Sequence, residues 1–358
     1  MPLVTDMRDV VVIAPNFKRR LSGVTSTIVQ LVPVQNRLGQ KVATLGPGLP
    51  DTLPKLRWRD LLALWTPPHG RKARVWHARR NVEMLAGVIL RDLLRMKLRL
   101  LFTSAAQRRH TGYTRRLIAR MDAVVATSGR SGAFLDVPHG VIMHGVDTEL
   151  FHPPRTPDDT IAATGLVGAH LVGCFGRVRH QKGTDLFVRA MIELLPAFPA
   201  WTAVVSGRVT EKHVAFADGL KADVAAAGLA ERIVFLGEVP DIKPWYRRLS
   251  LYVAPSRNEG FGLTPLEAMA SQTAVVASDA GAYAEMIVPG ETGAVVPAGD
   301  YEALREAIRT YLLDPAMAGR HAAAGRKHVT QAFALETEAI ALGSLYERLS
   351  RGAAEGQA

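Results

Sequence analysis

Residues 171–183 read LVGCFGRVRHQKG, and the way this stretch folds sets the architecture. LVGCFGRV (171–178) reads as a strand, HQKG (180–183) as a turn, and Thr184 to Leu195 as the helix that follows. The chain opens on the same unit. VVVIA (10–14) is a continuous apolar, β-branched run, the kind that makes a strand buried on both faces of a parallel sheet. Pro15 to Leu21, Ser22 and Gly23 lead into a helical pattern that runs to about Leu38, and KVATLG (41–46) is a second strand. Downstream come TAVVSG (202–207), a helix near 211–227, IVFLG (233–237), LYVAPS (251–256) and AVVAS (274–278). Strands alternating with helices over short polar connections predict two doubly wound α/β domains, each with a mostly parallel sheet.

The length of 358 residues agrees, at roughly 100–200 residues per domain. In PPRTPDD (153–159) three prolines and two aspartates interrupt both patterns. The expected domains are therefore 1–157 and 158–334, with a terminal helix in 335–358 that packs back toward the first. Apolar residues make up 48% and charged residues 22%, the balance of a folded chain. Doubly wound sheets bind ligands beyond the carboxyl ends of their strands, so the site is expected between the domains.

The single cysteine, Cys174, cannot form an internal disulfide and reads as a small buried hydrophobe in a strand, which suits a reducing, cytosolic setting. No segment has the order of a signal peptide and no uncharged apolar run reaches about 18 residues. The net charge of +11 is uneven. Residues 1–160 hold 25 Lys and Arg against 12 Asp and Glu, and residues 71–120 alone hold 14 against 2. Arg71, Lys72, Arg74, Arg79, Arg80, Arg108, Arg109, Arg115 and Arg116 exceed what solubility needs, so this half is expected to meet something anionic. MLAGVILRDLLRMKLRLLF (84–102) reads partly as an amphipathic helix and then as a strand, RLLF. Such a basic apolar stripe suits an anionic membrane surface, or else a helix that covers the sheet with its arginines in water. Nucleic acid is not expected, because no binding motif or aromatic stacking platform is present.

At the strand ends the residue types turn chemical. Gly176 allows a sharp turn, after which Arg177, Arg179 and Lys182 stand before a helix start. Cations have no favourable dipole partner there, so they ask for an anion; a fork of arginine with a mobile lysine suits a diphosphate, and a solvated basic loop is the plainer reading. In SRNEGFGLTPLEAMA (256–270), Gly260 and Gly262 allow close backbone approach to a ligand. Thr264 reads as an N-cap, Pro265 as the first helical position and Glu267 as the third, a capping box that accounts for Glu267. Glu259 has no such account and is the sharper ligand-binding candidate.

These two stretches resemble the retaining glycosyltransferases of family 4, which have the GT-B fold of two Rossmann-like domains facing across a cleft. Gly176-Arg177 followed by Lys182-Gly183, and E-G-F-G-x4-E-A-M-A from Glu259, carry the resemblance, together with Gly23 near the start and HGVD at 144–147. It implies that Glu259 holds the donor sugar, that Glu267 holds the nucleotide ribose, and that Arg177 and Lys182 neutralise the donor diphosphate. Gly23, Gly176, Gly260, Phe261, Gly262 and Leu263 would line the donor site. No cofactor or metal is expected beyond the nucleotide sugar, in keeping with the lack of a D-x-D or a His/Cys cluster with ligand spacing. Relatives often carry a histidine after a first-domain strand, where this chain has Ser104 to His110. Ser104, Arg108 and His110 are candidates to face the cleft, as is His77; each also reads as a helix-surface or strand-end residue.

The stretches APNFKRRLSGVTST, VWHARRNVEM, FTSAAQRRHTGYTRRLIARMDAVVATS and MHGVDTELFHPP are similar to bacterial lipopolysaccharide core mannosyltransferases. That implies GDP-mannose as donor and an anionic, lipid A-linked core sugar as acceptor, reached by peripheral association at the inner face of the cytoplasmic membrane. A family 4 transferase using a UDP-glucose type donor, a GT-B epimerase and a non-enzymatic sugar-nucleotide binding protein are the alternatives.

Overall fold

The computed structural model describes residues 6–18 and 23–352. They form two compact units, one of the described residues up to Gly145 together with those from Leu335 onward, the other of Val146–Ala334.

The first unit is built on β1 (Val12–Pro15), β2 (Val42–Leu45), β3 (Lys55–Leu56), β4 (Arg74–Ala78), β5 (Leu98–Ser104), β6 (Ala123–Ala126) and β7 (Gly140–Val141). The sheet order is β3-β2-β1-β4-β5-β6-β7 and every pairing is parallel. One face is packed by Leu64, Met84, Met96, Leu117 and Ile118. The other is covered by the helix Gly23–Arg37 and by the helix Leu335–Arg351, whose Leu335, Ala339, Leu342 and Tyr346 are buried there. Covering both faces is what lets the strands be apolar throughout.

The second unit holds β8 (His170–Phe175), β9 (Trp201–Ser206), β10 (Ile233–Gly237), β11 (Leu251–Ala254), β12 (Ala274–Ser278) and β13 (Ala294–Val296). Its order is β10-β9-β8-β11-β12-β13, again parallel. In both sheets the chain builds outward from a central strand, then crosses to that strand's other side. The switch points therefore lie at β1/β4 and at β8/β11, where the connections diverge and leave room above the carboxyl ends.

The units divide at Gly145/Val146, ahead of the expected 157/158. Val146 donates to Phe333 O at 2.8 Å, and the proline-rich segment is held in the second unit through Asp159, which Arg247 Nε engages at 2.5 Å. Prolines mark a break in periodicity, whereas a domain boundary follows from which contacts form. The basic window also differs from expectation. Arg74 is buried, donating to the carbonyls of Val10 (3.1 Å), Ala63 (3.1 Å) and Met7 (2.6 Å). Arg71 pairs with Glu347 at 2.6 Å, and Arg80 with the buried Glu83 at 2.8 Å. These three cations serve the fold. Lys72, Arg108, Arg109, Arg115 and Arg116 are exposed. Residues 84–102 form the end of a helix, Asn81–Val88, then a π-turn, Ile89–Leu93, and then β5. No helix among the described residues is long and apolar enough to cross a membrane.

Candidate active site

The second unit's switch point gathers most of the expected donor residues. Gly176 leaves β8 with φ +136°, a conformation open to glycine alone without strain. The turn carries Arg177 and Arg179 to Lys182, just ahead of the Thr184–Leu194 helix. From the end of β11, residues 255–263 run alongside. Arg257 ties the two loops together, donating to both carboxylate oxygens of Asp185 at 2.8 and 2.7 Å and to His180 O at 2.6 Å.

Lys182 Nζ and Glu259 Oε2 form an ion pair, with both side chains four-fifths buried. Glu259 Oε2 also accepts from Tyr283 Oη at 3.3 Å, and Oε1 from the Gly260 amide at 3.1 Å. The carboxylate is thus aimed from several sides. Gly262 has φ +85°, and a Cβ there would overlap the Tyr283 ring and Glu259 Cγ. Phe261 is buried and its carbonyl accepts from the Ala282 amide at 3.2 Å. Arg177 is exposed, while Arg179 is half-buried; burial, and then the nearby charge of Arg177, pull the Arg179 pKa down. Its Nε is buried without a partner. A half-buried arginine disfavoured by burial and by a neighbouring cation makes a locus suited to an anion. Lys182, Thr184, Tyr252, Ser256, Thr264 and Tyr283 line a small cavity here. Burial pushes the Cys174 thiol on its floor up to about 12, which makes it inert.

Glu267 corrects the capping-box expectation. Leu263, with helical dihedrals of −77° and −18°, is the N-cap of the helix Thr264–Ala270, and no side chain caps it. The helix starts one residue early, so Glu267 falls at its fourth position and not at the third, where a capping box places the acid. The Glu267 carboxylate instead accepts from Tyr246 Oη at 2.8 Å. Burial raises the Glu267 pKa despite that bond, and burial, then the Glu267 charge, raise that of Tyr246, so the hydroxyl stays a donor. Sequence reading missed Tyr246 and Tyr283. The latter follows Gly281 just past β12, and the rule that ligands gather at strand ends would have pointed to it.

In the first unit, Ser22 lies outside the described residues. Gly23 opens its helix, where a Cβ would meet nothing within 4 Å. At the β1/β4 switch point a polar cluster forms that sequence reading also missed. Arg80 donates to Asn16 Oδ1 at 2.8 Å and to Thr25 Oγ1 at 3.2 Å, and Thr25 donates to Asn16 at 3.3 Å. His77, within β4, and Ser104, the last residue of β5, are each 1% exposed. His77 Nδ1 pairs with Tyr346 Oη and Nε2 with Thr103 Oγ1, both at 2.7 Å, and burial holds its pKa well below the usual histidine value. A neutral histidine with both nitrogens engaged joins β4 to the C-terminal helix. Ser104 Oγ meets His110 Nε2 at 3.2 Å, and Arg108 is exposed. His144 of the HGVD segment pairs with Glu338 at 2.8 Å, and Glu338 also takes the Gly145 amide at 2.8 Å. Among the described residues no three His, Cys, Asp or Glu come together as metal ligands would.

The family model "Glycosyl transferases group 1" matches residues 169–314. The lipopolysaccharide core biosynthesis mannosyltransferase LpcC of Rhizobium leguminosarum bv. viciae is 74% identical over 344 residues, which cover 96% of this chain and 98% of that one. The lipopolysaccharide core biosynthesis mannosyltransferase LpsB of Rhizobium meliloti (strain 1021) is 58% identical, over 97% of this chain and all of that one. Among solved structures, the C-terminal domain of a group 1 glycosyl transferase (LpcC) from Francisella tularensis matches 53% of this chain and 99% of its own at 37% identity, with a TM-score of 0.51. Anabaena HepE in complex with UDP matches 94% of this chain and all of its own with a TM-score of 0.81; at 19% identity that likeness speaks for the fold alone. Two parallel doubly wound units, a strand-end cluster of Lys182 and Glu259, and full-length likeness to such relatives place the chain in the glycosyl transferases of group 1, with the GT-B fold.

Proposed function

We propose that this protein moves mannose from GDP-mannose, with retention and without a divalent metal, to an inner-core sugar of lipid A-linked lipopolysaccharide at the inner face of the cytoplasmic membrane. The observation that carries the reading is the convergence of Lys182, Glu259 and Tyr283 above β8, β11 and β12, in a chain that matches two lipopolysaccharide core mannosyltransferases end to end.

In this reading the bond from the anomeric carbon to the β-phosphate oxygen breaks, and its electron pair leaves with GDP. Lys182, Arg177 and Arg179 supply positive charge where negative charge builds, and preorganised charge of this kind is a large term in catalysis. The acceptor hydroxyl forms the new bond on the face that GDP leaves, and its proton passes to the departing phosphate. Glu259 takes hydroxyls of the sugar and Glu267 those of the ribose. Lys72, Arg108, Arg109, Arg115 and Arg116, exposed on the first unit, meet the carboxylates and phosphates of the acceptor.

The test is a donor screen with purified protein and a core-lipid acceptor, with and without EDTA. Transfer from GDP-mannose that survives EDTA is expected. Transfer from UDP-glucose but not from GDP-mannose would overturn the donor, loss with EDTA the metal independence, and free sugar or an epimer formed without acceptor the transferase reading.

A further inference from the structure

We propose that the outer face of the first unit, formed by residues 57–65 and 82–97, docks on an anionic bilayer. This deepens the reading of a lipid-linked acceptor and rests on it.

The face carries two adjacent apolar stripes turned to solvent. Along the 3-10 helix Trp58–Trp65, Leu64 is buried in the core while Trp58, Leu62 and Trp65 are 60%, 69% and 46% exposed. On the helix Asn81–Val88 and the π-turn after it, Met84 is buried, yet Val82, Leu85, Ile89 and Leu93 are exposed, Leu93 by 74%. Their spacing of three, four and four residues sets them along one side. These helices are apolar on the core side and again on the water side, which a helix that only covers a sheet has no reason to be. The stripes are fastened together: Trp65 Nε1 donates to Leu94 O at 2.8 Å and the Lys97 amide to Leu64 O at 3.0 Å. The join is a π-turn followed by Arg95 at φ +54°, two uncommon conformations that tend to mark functional sites.

Charge selects the occupant. The acids on this face are already engaged, Asp60 by Arg57 at 3.1 Å and Asp92 by Arg91 at 2.6 Å and Arg120 at 3.1 Å. Arg59, Arg95 and Lys97 remain exposed around the stripes. Tryptophan prefers the level of lipid headgroups, aliphatic side chains enter the acyl boundary, and cations near the surface are drawn to anionic lipid. The patch has all three.

The full chain is floated with vesicles of phosphatidylethanolamine and phosphatidylglycerol, and with phosphatidylcholine vesicles. Two variants outside the candidate active site are compared, Leu62→Gln with Leu93→Gln, and Arg59→Glu with Lys97→Glu. Transfer to a deacylated, water-soluble core acceptor is measured in parallel. The surface predicts binding to the anionic vesicles only, at least tenfold weaker in each variant, with transfer to the soluble acceptor unchanged. It is overturned if the wild type stays unbound, if the variants bind like the wild type, or if the variants only dissolve a dimer of the wild type. Vesicle binding lost in the variants while no donor supports transfer would uphold the surface and sink the enzymatic reading instead.

Discussion

Tyr246→Phe isolates one bond of the site. Tyr246 is fully buried, edge-on to the rings of Phe151, Phe175 and Tyr252, so the substitution keeps the packing and removes only the hydroxyl that Glu267 accepts from. A hydrogen bond to a charged group contributes about 1.5–3 kcal/mol. A loss near 2 kcal/mol lowers Tm by about 4–8 °C for a unit of this size. The pH dependence follows from the raised pKa of Glu267. The folded state binds this proton more readily than the unfolded chain, so the group's contribution is fully present below the ordinary carboxylate pKa and is lost as pH rises through the folded value. Above that value the buried charge leans on Tyr246. Below it the protonated carboxyl needs the donor less. Thermal unfolding of both proteins across a pH series should show a deficit that shrinks on acidification. A deficit that stays constant across the series, or none at its alkaline end, would refute the assignment of Tyr246 as the group that holds the Glu267 charge.

Lys182→Ala should lower kcat on the order of 100-fold, about 3 kcal/mol of transition-state stabilisation, while KM for the acceptor holds in steady-state transfer assays; an unchanged kcat sinks the role. Gly262→Ala combines an unfavourable φ with overlap onto Tyr283 and Glu259, so a stability loss of about 1–3 kcal/mol and a collapse of transfer are expected together, read by denaturant titration and product formation. Cys174, buried with a thiol pKa of about 12, should resist iodoacetamide in the native protein and react only after unfolding, as mass spectrometry would show.

Periodicity and glycine placement made the fold legible. The runs at 10–14, 171–178, 251–256 and 274–278 coincide with β1, β8, β11 and β12, because a strand covered on both faces must be apolar wherever it sits. The short β3, β7 and β13 at sheet edges carry too few residues for a pattern. The basic window misled in part, since composition counts Arg74 and Arg80 as surface charge, while one is spent on buried carbonyls and the other on Glu83.

What the sequence determined by itself was local: two doubly wound sheets, the turns that end their strands, and the chemical types of residue placed after them. What only the tertiary structure decided was which of those residues meet. Glu267 looked like a helix cap because its nearest neighbours in the chain offered one, yet its partner is Tyr246, 21 positions away. Lys182 and Glu259 are 77 positions apart and pair because β8 and β11 lie side by side at the switch point. His77 has a residue type suited to catalysis, yet Tyr346 of the distant C-terminal helix closes over it. Local pattern is set by the spacing of apolar residues along the backbone. A side chain's charge partner is set by sheet order, which no single stretch of chain contains.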